Sequence, residues 1–244
     1  MLDRILDKLQ MLEPLSAHDR DEVLAWSIAE STAQRHGFIL RQGDRATRCA
    51  ILKAGLACRW KMNRDGVRQI VTIHYPGDML DLQHFLLDKA DHHISALTPC
   101  DLGWISYQEL RHTVDARPAI GRALWRDTLI EAAIGREWLL NIGRRDALQR
   151  LAHLLTEMSM RMAAVGTNTF QSPNELLTQE DLADACGLTP VHVNRTIQKL
   201  RTVAALPERG ATMTKDHLQR LTEYAGFDPA YLHHLQPKTV ASLA

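Results

Sequence analysis

The stretch Thr178–Arg201 reads TQEDLADACGLTPVHVNRTIQKLR. Thr178 can cap a helix, with Asp181 at the reciprocal position of a capping box. Leu182, Ala183 and Cys186 then share one face. Gly187 stands where that helix must leave through a left-handed residue, which glycine adopts at least cost. Thr189 suits the N-cap of a second helix and Pro190 its first position. Val193, Ile197 and Leu200 recur at i, i+4 and i+7 and form its buried face. Val191, Asn194, Arg195 and Gln198 lie opposite, and small Ala183 sits where the two helices cross. The pattern is a helix-turn-helix.

A plain helical hairpin is the competing reading, and the exposed face of the second helix argues against it. From 189 to 209 the bases Arg195, Lys199, Arg201 and Arg209 meet one acid, Glu208. The whole chain of 244 residues is neutral, with 29 Lys and Arg against 29 Asp and Glu, so any DNA-binding surface must be a local patch. If the second helix enters the major groove by its N-terminal end, Arg195 is placed for guanine, Asn194 for adenine and Val191 for a thymine methyl. Thr178, Thr189 and His192 are placed for phosphates, beside Pro190 and Gln198, while Lys199 and Arg201 add charge. Ala204–Leu206 and Ala211–Met213 read as short strands of a wing whose turn offers Arg209 to the backbone.

Upstream, a helix over about 146–164 carries Leu148, Leu151, Leu154, Leu155 and Met158. Gly166–Thr169 and Ser172–Asn174 mark a loop after it. Gly143–Asp146 breaks the pattern and reads as a domain boundary. Before it, a long helix over about 118–142 bears Ile120, Leu124, Ile130, Ile134, Trp138 and Ile142, with Asp127 and Glu131 on the same face. A symmetry mate covering that stripe is the expected arrangement, hence a homodimer.

From about 35 to 106 short apolar runs alternate with turn signals. Phe38–Leu40, Ala50–Leu52, Ile70–Ile73, His93–Leu97 and Leu102–Ile105 are separated by Gln42-Gly43-Asp44, Ala54-Gly55 and Pro76-Gly77-Asp78. Such spacing predicts an antiparallel sandwich or roll. Residues 1–30 read as helical, with Ser16 and Asp19 as a capping box and Val23, Leu24 and Ile28 as a stripe. The fold class is α+β.

Hydrophobic residues make up 45% and charged residues 24%, as in ordinary globular chains. MLDRILDKLQMLEPL mixes acids among its apolar residues and is not read as a signal peptide, and no run matches a membrane span. The cysteines Cys49, Cys58, Cys100 and Cys186 lack CxxC spacing, which fits a reducing cytoplasm.

Together these segments resemble the Crp/Fnr superfamily of bacterial transcription regulators. Gln42-Gly43-Asp44, Ile51–Gly55 and Pro76-Gly77-Asp78 are similar to its effector-domain landmarks. The helix from 118 is similar to its dimerisation helix, and Ala225–Leu232 to the ending of many alphaproteobacterial members. The resemblance implies a cyclic-nucleotide-binding-like roll for effector sensing (1–117), a dimerisation helix (118–143) and a winged helix-turn-helix with a C-terminal tail (144–244). It implies an inverted-repeat operator in double-stranded DNA as partner and makes RNA polymerase a further candidate.

The departures narrow the signal. By the resemblance the effector pocket falls on Gly77, Asp78, Asp81, Leu82, Ala90 and Asp91. Leu82 replaces the glutamate that would hold a ribose, and Ala90-Asp91 replaces the Arg-Ser that would hold a cyclic phosphate, which argues against cyclic AMP. The family's iron–sulfur members cluster N-terminal cysteines; here none precedes Cys49, which argues against an iron–sulfur cluster. His74, His84, His92 and His93 leave haem or a metal open, but surface or hydrogen-bonded histidines are the favoured reading and no metal is expected. In the recognition helix the family's Arg is kept at 195, but Val191 replaces a Glu, so the operator should differ from the best-known ones. The rivals are a ligand-binding or protein-interaction module without DNA binding, which the exposed Asn194-Arg195 pair argues against, and an enzyme, for which no nucleophile elbow, phosphate loop or HExxH motif is present and no catalytic residue is assigned.

Overall fold

Ser16 accepts a hydrogen bond from the Asp19 N–H while the Asp19 carboxylate accepts from the Ser16 N–H, so the expected capping box starts a helix at Ala17. The computed structural model describes residues 1–166, 173–203 and 205–233. Two helices open the chain, α1 (Leu2–Leu12) and α2 (Ala17–Leu24). The helical reading of 1–30 stops there. Trp26 turns inward and its indole N–H donates to Thr113 Oγ1 at 3.1 Å, and a strand begins at Ala29. Val23 is buried, but Leu24 faces out.

Among the described residues seven strands follow: β1 (Ala29–Ala33), β2 (Phe38–Leu40), β3 (Arg48–Ala54), β4 (Ala57–Met62), β5 (Arg68–His74), β6 (His93–Ala96) and β7 (Cys100–Ser106). They form two antiparallel sheets, ordered β1-β7-β3 and β2-β6-β4-β5. The five apolar runs all became strands. β1 and β4 were not legible, because AESTA has almost no apolar residue and ACRWKM does not alternate cleanly. β4 pairs with β6 from Ala57↔Ala96 to Trp60↔His93. Leu40, Leu52, Leu80, Ile94 and Leu102 meet in the core. The β3–β4 turn requires Gly55: its φ is +88°, and a Cβ there would lie 2.3 Å from the Pro99 carbonyl oxygen. A 3-10 turn (Leu82–Phe85) interrupts the path from β5 to β6.

After α3 (Tyr107–Ala116) comes the long helix α4 (Pro118–Arg144). It runs straight through Gly143, and the break falls at Arg145-Asp146. The expected dimer stripe is corrected: Ile120, Leu124, Ile130, Ile134 and Trp138 are all buried by the chain itself, and Ile142 is half-buried. Trp125, Leu129, Ala132 and Leu139 face out instead, Trp125 at 67% and Leu139 at 73% exposure. Their spacing of four, three and seven is that of a coiled-coil seam.

The chain divides into two compact units, Met1–Lys61 with Ile73–Ala132, and Met62–Thr72 with Ala133–Ala244. The second is built on α5 (Ala147–Ala164), capped by an Asp146–Gln149 box and buried over most of its circumference. Buried Thr156 and Ser159 donate back to the Ala152 and Leu155 carbonyls. Buried Glu157 accepts from the Trp138 indole (3.0 Å) and the Tyr231 hydroxyl (2.6 Å). Around α5 lie α6 (Pro173–Leu176), α7 (Gln179–Cys186), α8 (Pro190–Thr202) and α9 (Lys215–Ala225). Gly226 ends α9 at φ +54°, and the Phe227–Leu232 tail returns to α5, where Phe227 and Tyr231 pack on His153. Of the expected 166–174 loop, residues 167–172 lie outside the described residues, and Pro173 opens α6. All four cysteines are buried thiols, and no disulfide joins them. Among the described residues no helix is long and apolar enough to cross a membrane.

Candidate nucleic-acid interface and effector pocket

Thr178 caps α7 as expected. Its hydroxyl accepts from the Asp181 N–H and donates to the Asp181 carboxylate at 2.7 Å. That second bond consumes the proton a phosphate would need, so the expected phosphate contact through the Thr178 hydroxyl is corrected. Gly187 leaves α7 at φ +61°, with the Gly187 and Leu188 N–H groups both bonded to the Ala183 carbonyl. Thr189 then caps α8 by accepting from the His192 N–H at 3.2 Å. The turn is braced twice more. Arg150 donates to the Cys186 carbonyl at 2.8 Å, and Arg68 pairs with Asp181 (2.7 Å) and Asp184 (2.5 Å). Burial raises the Asp184 pKa, and the Arg68 guanidinium opposes it.

Val193, Thr196, Ile197 and Leu200 bury one side of α8. Thr189, Pro190, Val191, His192, Asn194, Arg195, Gln198 and Lys199 are exposed on the other, so the expected surface is brought together on one helix. Beside it runs a cleft lined by Gln179, Asn194, Gln198, Arg201 and Arg209. Arg201 is only half-exposed and donates Nε to the Pro207 carbonyl at 3.2 Å, so it holds the following turn. Arg209 is exposed at that turn. The expected wing strands are corrected. Ala204 lies outside the described residues, and the described 205–206 and 211–213 are not strands. The Ala205 and Leu206 N–H groups close the end of α8 on the Leu200 carbonyl, Pro207 has no N–H, and the Gly210 N–H donates to Glu175. None of these four residues can donate to a ladder.

In the first unit, the expected pocket residues Gly77, Asp78, Asp81, Leu82 and Ala90 lie inside the roll. Asp91 does not: its side chain is 71% exposed, and it pairs with His92 and Lys61. The interior is occupied by charges. Lys8 of α1 sits 2.9 Å from Asp78 and 2.8 Å from Asp127 of α4. Burial alone would lower the Lys8 pKa, but the two carboxylates outweigh it and hold the ammonium well above its ordinary value. Arg59 of β4 pairs with Glu131 of α4 and donates to His92 Nε2 (3.1 Å), the Leu80 carbonyl (2.8 Å) and Gln83 (3.2 Å). Asp81, its carboxyl pushed up by burial, contacts His84, and the Tyr107 hydroxyl donates to the Asp81 backbone carbonyl at 2.6 Å with the carboxylate 3.2 Å away. Burial beside Arg59 lowers the His92 pKa to about 4.

This donor set does not fit a cyclic phosphate. The Ala90 N–H is spent on the Asp44 carbonyl at 2.9 Å, Asp91 carries the wrong charge, and the Arg59 nitrogens are committed. Lys8 and Arg59 were not singled out from sequence. Asp127 and Glu131 were the available signal, since acids on the apolar face of a helix need buried partners. His74, His84 and His92 are buried rather than on the surface. His93 stacks on Trp60 at 4.2 Å and accepts from the Gln42 N–H.

Two family models match the chain: a cyclic nucleotide-binding domain over residues 31–117 and a Crp-like helix-turn-helix domain over 149–224. The transcriptional activator protein FnrL of Cereibacter sphaeroides is 30% identical over 198 residues, covering 78% of this chain and 77% of that protein. The nitrogen fixation regulation protein FixK of Rhizobium meliloti is 27% identical over 176 residues, covering 71% and 75%. Among solved structures, FixK2 from Bradyrhizobium japonicum superposes with a TM-score of 0.71 at 22% identity, covering 83% of this chain and 99% of that one. That likeness carries the fold.

Proposed function

The chain belongs to the Crp/Fnr superfamily, and from that premise we propose how this DNA-binding transcription regulator divides its work. Residues 144–244 read the operator, 118–143 join two copies, and 1–117 receive a signal. The protein acts in the cytoplasm as a homodimer without enzymatic activity of its own, and RNA polymerase is the further partner of a DNA-bound dimer. α8 enters the major groove. Arg195 takes guanine O6 and N7, Asn194 takes adenine N6 and N7, and Val191 packs on a thymine methyl. Thr189, His192, Lys199 and Arg209 serve the backbone.

The observation that carries this reading is the division of α8: Val193, Ile197 and Leu200 are buried, while Val191, Asn194, Arg195, Gln198 and Lys199 face solvent. A two-fold dimer presents two such helices, so the operator is an inverted repeat with half-sites about 34 Å apart. Sequencing genomic fragments selected by the purified protein tests this. An inverted repeat with that spacing is expected; unselective recovery overturns the reading. The signal is not cyclic AMP, because Ala90 and Asp91 offer no cation where the cyclic phosphate would lie. Calorimetry should record no micromolar binding of cyclic AMP, and a clear isotherm would refute this.

A further inference from the structure

Asp81, His84 and His92 are all buried, and one ligand-type atom from each lies within 4.8 Å of the others. They come from three places: Asp81 after β5, His84 in the 3-10 turn, and His92 just before β6. His92 Nε2 lies 3.8 Å from Asp81 Oδ1, and the two imidazole centroids are 5.5 Å apart. We propose that these three side chains form a site for one first-row divalent transition-metal ion, and that this ion is the signal received by the roll.

Two imidazoles and a carboxylate are the donor set that zinc and ferrous iron take in proteins. The surroundings supply what such ligands need. His92 Nε2 accepts from Arg59, so it carries a lone pair, while Nδ1 is 2.7 Å from the exposed Asp91 carboxylate. A ligating histidine is normally oriented by such a carboxylate on its far nitrogen. Asp81 is steadied in turn by the Tyr107 hydroxyl, which donates to its backbone carbonyl at 2.6 Å. His84 Nε2 is buried with no hydrogen-bond partner, an unsatisfied atom that a packed interior rarely keeps. His84 Nδ1 already lies against the Asp81 carboxylate. With ligand bonds near 2.0–2.1 Å, two ligands of one ion stand at most about 4.2 Å apart, so atoms that lie within 4.8 Å of one another draw together on binding.

Arg59 makes this a switch. Its Nε–H sits on the His92 lone pair that the ion would take, and a dication repels the guanidinium. The same guanidinium is paired with Glu131 of α4. Ion binding therefore detaches Arg59 from His92 and leaves it to Glu131, the Leu80 carbonyl and Gln83. The state of the site is thereby reported to the long helix. This rests on the reading of the roll as the sensing part.

The full-length protein, stripped with a chelator, is titrated with Zn²⁺ by calorimetry and with Co²⁺ by its visible ligand-field bands. Operator affinity is measured in the same preparations. One ion per chain is expected, with Co²⁺ bands of nitrogen and oxygen ligation and an operator affinity changed at least about fivefold. His84→Gln and Asp81→Asn should lose more than the roughly 10–100-fold that removal of a supporting group costs. Arg59→Gln should bind the ion more tightly than wild type, which a fold-damaging substitution would not do. His93→Gln, outside the cluster, should bind as wild type. The site is refuted if wild type takes up no stoichiometric ion, or if His84→Gln and Asp81→Asn bind as wild type does. An ion held by the cluster with unchanged operator affinity refutes its role as signal. In either case the DNA-binding reading stands on the operator measurement itself. Loss of operator binding in every preparation would sink that reading, and with it the ion's role as signal.

Discussion

Arg195 and Lys199 stand one turn apart on the exposed side of α8, yet their substitutions should read differently. Arg195→Ala should cost about 1–3 kcal/mol and relax specificity at one base pair in each half-site. Lys199→Ala should weaken all sequences alike and flatten the salt dependence by about one unit of slope for each phosphate left without its cation. A panel of single-base operator variants at two salt concentrations separates them; unchanged base preferences in Arg195→Ala would make it a backbone contact. Two glycines offer a second contrast. An added Cβ at Gly187 meets only ordinary contacts, the nearest at 3.5 Å, so Gly187→Ala should cost about 1–2 kcal/mol of left-handed strain. At Gly55 the Cβ would press on the Pro99 backbone at 2.3 Å, so Gly55→Ala should cost clearly more in urea melts. These residues were legible because each obeys a local rule: a cap, a left-handed turn, an exposed polar side of an amphipathic helix. Lys8 and Arg59 were not, because their partners lie 119 and 72 positions away, and no local rule links such positions.

α4 shows where sequence reading of an element succeeds and where it fails. Its extent and its apolar periodicity were plain, but it carries two stripes and only one can be matched to a mate. Ile134 is 3% exposed and Leu129 is 54% exposed. Leu129→Glu should therefore lower dimer content and operator affinity while leaving the protomer folded. Ile134→Asp should instead destabilise the protomer by several kcal/mol, because a charge would be buried without a partner. Light scattering with thermal melts distinguishes the two; a dimer intact in Leu129→Glu rejects the Trp125–Leu139 seam. Periodicity could not choose between the stripes, since the covering of Ile120, Leu124 and Ile130 is decided by tertiary packing. The wing failed for a related reason: Ala205 and Leu206 look like strand residues, but the end of α8 claims their N–H groups first.

At the scale of the whole molecule, stability should depend on pH through His153. Burial, with Arg145 nearby, lowers its pKa from 6.5 to about 3. Glu137 lies 3.3 Å from its Nε2 but is held by Arg145 at 2.6 Å, and Phe227 and Tyr231 close the other sides. Below pH 6.5 the unfolded chain takes up a proton that the folded chain refuses. The histidine's contribution to stability is thus complete above 6.5 and declines by roughly 1.4 kcal/mol per pH unit toward pH 3. Urea titrations between pH 7.5 and 5 should show that slope reduced in His153→Gln; an identical slope would place its origin elsewhere. The buried thiols have a consequence of their own. Cys49, Cys58 and Cys100 lie in the first unit and Cys186 in the second, and burial pushes the Cys100 thiol up to about 11 and Cys186 up to about 12. A maleimide can reach them only when the surrounding structure opens, so the native chain carries an alkylation clock in each half. Mass spectrometry of timed quenches would give an opening rate for the roll and another for the helix-turn-helix. The two rates should differ if the halves open independently and coincide if the chain opens as one.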